Sequence, residues 1–163
     1  MTTRRPRKTP VSGLGTAELD IANRLFFRLY QSSNLMHKVG TRYVSELDGT
    51  TQQWAVLGAL AGHPDRADGL NVKELMERLL LSRQNLTAVL DRMETKRWIE
   101  RVRDEADGRS RRIRMTREGD QVWERMLPSI ASFYEAALVG FSLEDRVALY
   151  RLLDRLKEGL NGL

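Results

Sequence analysis

Two short helices joined by a tight turn, an arginine-flanked hairpin directly after them, and long apolar-striped helices on either side predict a mainly α chain with a small β-hairpin wing. This is a winged helix-turn-helix lobe plus a helical dimerisation region. At 163 residues the chain has the size of one domain and is long enough to bury a core. The division expected is a disordered basic arm over 1–15, a helical dimerisation region formed by 16–48 and 117–163, and the lobe over 49–116.

The arm, which begins MTTRRPRKTP, has too little apolar content to fold alone. From Thr16 to Leu47, apolar residues at Ile21, Leu25, Leu29, Met36, Val39, Tyr43 and Leu47 recur at helical spacing, with Phe26, Phe27 and Tyr30 widening the stripe. Such a helix spans roughly 45 Å, more than a domain of this size needs for its own core, so part of it is expected to pack on another subunit. Asp48 and Gly49 stop it. Thr50 with Gln53 has the form of a capping box opening a short helix through Trp54, Leu57 and Leu60, which Gly62 and Pro64 end.

After the polar loop HPDRADG, Leu70 to Val72 reads as extended, and Lys73 to Leu79 as a two-turn helix buried through Leu75 and Leu79. Ser82 caps a helix to about Lys96 that buries Leu86, Val89, Leu90 and Met93. Trp98–Arg103 and Arg111–Met115 alternate around the polar tip DEADGRS, the pattern of a hairpin with a long tip. Thr116 caps the last long stretch, whose stripe runs from Val122 to Phe141, and Pro128 inside it either kinks the helix or starts a second one. Ser142 caps a final helix with more leucine than a two-turn cover requires: Leu149, Leu152, Leu153, Leu156, Leu160 and Leu163.

The net charge of +5 is unevenly spread. Residues 82–117 carry eleven Lys/Arg against six Asp/Glu, whereas residues 118–163 carry five against eight. The basic window therefore coincides with the second short helix and the hairpin, and its expected partner is double-stranded DNA. Ser82, Arg83, Gln84 and Asn85 open that helix at the end that meets base edges when such a helix enters the major groove. Arg83 suits guanine, Gln84 or Asn85 suits adenine, and Thr87 suits phosphate or a thymine methyl. Arg92 completes the set on this helix. These polar residues fit the wet face of any amphipathic helix equally well; the hairpin beside them breaks the tie. There, Arg109, Arg111, Arg112 and Arg114 lie near the tip alongside Asp104, Glu105 and Asp107. Acid beside a phosphate-binding surface needs a second task, and Asp107 holding Arg109 for a narrow minor groove supplies one.

Other classes are poorly served. No cysteine is present, which removes disulfides and thiol sensing, and two histidines, His37 and His63, give no metal cluster; no cofactor is expected. No apolar run approaches the roughly 18 residues of a membrane span, and the basic start is followed by no apolar h-region, so no membrane partner and a cytoplasmic location are expected. No nucleophile triad or glycine-rich phosphate loop suggests an enzyme. The alternative is a winged-helix module that binds protein.

Residues 50–119 resemble the MarR family core in register, through TTQQWAVLGAL, VKELMERLLLSRQNLTAVLDRME and IERVRDEADGRSRRIRMTREG. The resemblance implies a regulator of transcription, usually a repressor, in which the segment matching DGR places Asp107 and Arg109 at the minor groove. It also implies a two-fold homodimer built from the first and last helices, with Ile21, Leu25, Leu149, Leu153, Leu156 and Leu160 at the interface. Release from DNA by a small aromatic or phenolic effector is implied as well, with Phe26, Tyr30, His37, Arg42 and Trp54 as lining and Arg42 or His37 as carboxylate partner. Two departures stand out. Ala88 occupies a position where many relatives carry arginine. Arg97 stands where the family usually has a glycine, so either Arg97 takes a left-handed conformation or the helix ends differently.

Overall fold

A computed structural model describes residues 15–104 and 110–163. The basic arm up to residue 14, and Asp107 and Arg109 at the wing tip, lie outside the described residues. The described residues divide into two compact units, with the boundary between Val39 and Gly40.

The first unit carries most of helix α1, Thr16–Val44. Its start is held by the Glu18 carboxylate, which accepts from the Gly15 N–H at 2.8 Å. The apolar stripe is there as expected, and Ile21, Leu25, Phe26, Phe27, Tyr30, Leu35 and Met36 are all exposed.

In the second unit α1 gives way to a single 3-10 turn, Ser45–Leu47, so the α-helix stops three residues earlier than its periodicity predicts. Asp48 follows in the left-handed region at φ 54°, which turns the chain sharply. Helix α2, Thr51–Ala61, opens on the expected capping box, Thr50 and Gln53 each bonding the other's backbone N–H. Strand β1, Leu70–Asn71, is followed by α3, Val72–Leu79, and α4, Arg83–Thr95. Strands β2, Ile99–Arg103, and β3, Arg111–Met115, pair antiparallel with Arg101 opposite Ile113. The short extended piece at Leu70 pairs with Ile113, so the hairpin grows into a three-stranded sheet in the order β1-β3-β2.

Helix α5, Arg117–Ala137, passes through Pro128 as one helix, so no second helix starts there, and it stops four residues short of Phe141. Helix α6, Leu143–Asn161, is capped by Ser142. Hydrogen bonds from the Ser142 side chain and backbone hold the Asp145 carboxyl below its ordinary range. The core lies where α2, α3, α4, α5 and the sheet converge: Leu57, Leu75, Leu86, Leu90, Met93, Ile99, Ile113 and Met126 are all fully buried. No residue of α6 is buried.

Two glycines permit backbone contacts that fix the sheet. Gly69 sits at φ +75°, and a Cβ there would lie 2.3 Å from the Ile113 carbonyl oxygen. Gly119, in the first turn of α5, packs on the backbone of Trp98, where a Cβ would lie 1.9 Å from its carbonyl oxygen.

Candidate nucleic-acid interface

The side of α4 formed by Leu86, Val89, Leu90 and Met93 is buried, which turns the other side outward. Ser82, Arg83, Gln84, Asn85, Thr87, Ala88 and Arg92 all lie on the accessible side and are exposed. The Ser82 hydroxyl accepts from the Asn85 N–H at 3.3 Å, so the serine caps the helix and the Asn85 side chain is left to other partners. Thr87, which is exposed, donates its hydroxyl to the Arg83 carbonyl at 2.8 Å, which leaves both lone pairs of its oxygen as acceptors. The turn between α3 and α4 runs through Leu80 at φ 51°. Arg97, at φ 59°, takes the left-handed conformation, and the alternative of a different helix ending is set aside.

The wing follows directly. Thr116 donates its hydroxyl to the Arg97 carbonyl at 2.5 Å and its N–H to the Trp98 carbonyl at 3.1 Å, fastening the far end of β3 to the start of β2. At the other end the Asp104 N–H donates to the Ser110 carbonyl at 3.1 Å. Arg103 and Arg111, paired across the strands, are both exposed at the root of the tip. Like charges opposite one another destabilise a ladder, and an anion near both removes that repulsion.

Arg112 is placed differently from its neighbours. Its Nε donates to the Asp68 carbonyl at 3.0 Å, one terminal nitrogen reaches Asp104 at 3.2 Å, and the other reaches the Gly69 carbonyl at 2.9 Å and the Asp68 carboxylate at 2.5 Å. Burial opposes its charge, but the Asp104 hydrogen bond and the charges of Asp68, Glu74 and Asp104 outweigh it and raise its proton affinity. Arg112 thus ties the loop before β1 to the base of the wing instead of presenting a guanidinium outward, which corrects the sequence-based expectation of a displayed side chain. Asp104 is thus a wing carboxylate with a second task, on Arg112, whereas the expected task of Asp107 on Arg109 lies outside the described residues.

Two cations escape a reading of the sequence. Arg101 of β2 bonds Asp91 at 2.5 Å and Glu94 at 2.6 Å on α4. Strand parity is the available signal, because Arg101 shares the inward face with Ile99 and not with Val102. Lys96, at the end of α4, pairs with Asp48 at 2.9 Å and lies 4.6 Å from the Trp98 ring centre.

The residues expected at an effector pocket and a subunit interface are distributed over both units. Phe26, Tyr30 and His37 belong to the first and are exposed. In the second, Trp54 packs edge-on against Phe133 and Tyr134, with ring centres 5.7 Å apart in each pair, and burial raises the Tyr134 hydroxyl's proton affinity against the effect of Trp54. Arg42 lines an open depression with Tyr43, Glu46, Ser129 and Ser132. Among the interface candidates, Ile21 and Leu25 of the first unit and Leu149, Leu153 and Leu160 of the second are exposed, while Leu156 is half-buried. Among the described residues no acid or histidine cluster suits a metal ion, and no helix is long and apolar enough to cross a membrane.

Comparison with known proteins agrees with this geometry. A family profile described as MarR family matches residues 47–110. The transcriptional activatory protein BadR of Rhodopseudomonas palustris is 44% identical over 156 residues, which span 93% of this chain and 89% of BadR. Among solved structures, the organohalide-sensing regulator RdhR in its 2,4-dichlorophenol-bound form is similar at a TM-score of 0.76 and 19% identity, covering 94% of this chain and 89% of that one. A MarR variant from E. coli in complex with operator DNA is similar at a TM-score of 0.72 and 24% identity, covering 85% and 95%.

Proposed function

Because the chain belongs to the MarR family of transcriptional regulators, we propose that it is a dimeric, sequence-specific reader of double-stranded DNA, with α4 in the major groove and the wing beside the minor groove. One observation carries the reading. Arg83, Gln84, Asn85 and Thr87 stand exposed at the N-terminal end of a helix whose other side is locked in the core, so the side chains that suit base edges sit on a rigid support. Arg111, Arg92 and the tip pair Asp107 and Arg109 extend the contact surface.

Selection of bound sequences from random duplexes tests it. The expected product is a pseudo-palindrome with half-site centres about 34–36 Å apart. A gel shift on that site is expected to lose about 10³–10⁵ in affinity between 50 and 200 mM salt if six to ten phosphates are contacted. No enrichment, or binding indifferent to salt, sinks the reading and leaves a protein partner.

The dimer is supported by exposed leucine on α6 and exposed apolar residues on α1. Light scattering at micromolar concentration is expected to give twice the 18.7 kDa chain mass, and Leu153→Glu to return one chain mass and abolish tight operator binding. A wild-type monomer refutes it.

A small aromatic or phenolic effector is the second part of the proposal, held in the depression that Arg42, Tyr43, Ser129 and Ser132 line within the second unit. Glu46 in the same depression opposes a carboxylate there, which favours a phenol over an aromatic acid. In the same gel shift, 2,4-dichlorophenol is expected to release DNA more effectively than salicylate; release by neither removes the effector. Repression is not the only sign open to the family, since BadR is called an activatory protein. The proposal therefore takes DNA-bound regulation as the function, with its sign read from transcription of a promoter carrying the selected site.

A further inference from the structure

The geometry points to Arg101 as a positioning residue for DNA reading: it fixes the distance between the recognition helix and the wing and engages two carboxylates of the helix, its single positive charge offsetting one of their two negative charges. This rests on the DNA-binding reading above. Asp91 and Glu94 are three residues apart on α4 and therefore lie on one side of it. Asp91 also continues the line Arg83, Thr87, Asp91 at steps of four, so it stands on the side that carries two of the expected DNA contacts. An exposed carboxylate there repels phosphate, and a like-charged neighbour one turn away adds to it.

Arg101 answers both. Its two terminal nitrogens each take one carboxylate, at 2.5 Å to Asp91 and 2.6 Å to Glu94, and its side chain is only 27% exposed. A planar fork engaging two acids from one strand position leaves little freedom between strand and helix, and a lysine's single point charge does not reproduce it. The strand carrying it is held at both ends, since β2 pairs residue by residue with β3 from Ile99 opposite Met115 to Arg103 opposite Arg111. The angle between α4 and the wing root is thus set by one side chain whose two terminal nitrogens are each already engaged by a carboxylate of α4. Its effect on DNA passes through Asp91 and Glu94.

Three variants of the full chain test this on the duplex that the wild type enriches: Arg101→Met, Asp91→Asn with Glu94→Gln, and all three changes together. Arg101→Met is expected to lose about tenfold in affinity for the selected site, with most of the loss in the ratio of specific to random-sequence binding and the slope of log affinity against log salt kept. The Asp91→Asn and Glu94→Gln chain is expected to lose the same specificity ratio while holding random duplex at least as well as the wild type. In that background Arg101→Met is expected to add less than about a twofold loss, since the tie it served is already cut.

Equal losses from Arg101→Met in both backgrounds, with a salt slope smaller by about one, identify a direct phosphate contact and overturn the assignment. Wild-type specificity in Arg101→Met overturns it too. Should Arg101→Met melt early, the Asp91→Asn and Glu94→Gln chain carries the test alone, because Arg101 is retained and only the tie is cut; wild-type specificity there is again fatal. Failure of the parent reading looks different, since then the wild type enriches no sequence at all.

Discussion

Arg83→Ala is expected to weaken binding to the selected site about 5- to 150-fold and to relax the preference at one base pair in each half-site. The range follows from the roughly 1–3 kcal/mol of discrimination that a two-pronged guanidinium contact to a guanine edge supplies. Arg83 stands exposed at the first position of α4, with Ser82 capping the helix behind it, so truncation removes a contact without disturbing the core. Loss of sequence preference separates this role from a phosphate contact, which weakens all sequences alike and lowers the salt slope. Repeating the selection with the variant is the decisive measurement. An unchanged preferred sequence with affinity reduced on every duplex would return Arg83 to the phosphate class.

The largest effect on stability is expected from Gly119→Ala. A methyl group there would meet the Trp98 carbonyl oxygen at 1.9 Å, its carbon at 2.8 Å and its Cα at 3.2 Å. All three are backbone atoms, so no side-chain rotation relieves the clash, and the start of α5 must move away from the root of β2. Overpacking of this kind costs about 3 kcal/mol, which lowers the melting temperature by about 6–12 °C for a chain of this length. Gln121→Ala, exposed two residues on, is expected to stay within about 0.5 kcal/mol. Both are to be melted at one protein concentration, because association shifts apparent stability. Equal melting temperatures for the two variants would show that α5 and the wing are not joined through this contact.

What the sequence discloses well is local chemistry. Thr50, Ser82, Thr116 and Ser142 are recognisable as helix caps because a cap and the N–H it binds lie three residues apart, and each accepts the expected N–H. The buried side of α4 and the strand pair around residues 104–110 are legible through periodicity alone. Partners distant in sequence are not. Arg112 looks like a wing arginine because its neighbours are arginines, yet Asp68, 44 positions earlier, claims it once β1 docks on β3. Arg101 is easily overlooked because its acids lie on another element. Pro128 suggests a break that does not occur, since a proline's lost hydrogen bond is tolerated within the long packed helix α5. The expected pairing of Asp107 with Arg109 falls outside the described residues.

Helix α6 keeps nineteen residues helical with none of them buried. Most helical stability in proteins comes from packing an apolar face, so on the dimer reading this segment imports its stability from a second chain. Copy number then governs more than how many operators are occupied. Near the dissociation constant of the pair, a fall in expression would leave chains whose C-terminal helix frays and becomes open to proteolysis. Degradation of unpaired chains would sharpen the dose response, so that a gradual change in synthesis produces a steeper change in the number of DNA-competent molecules.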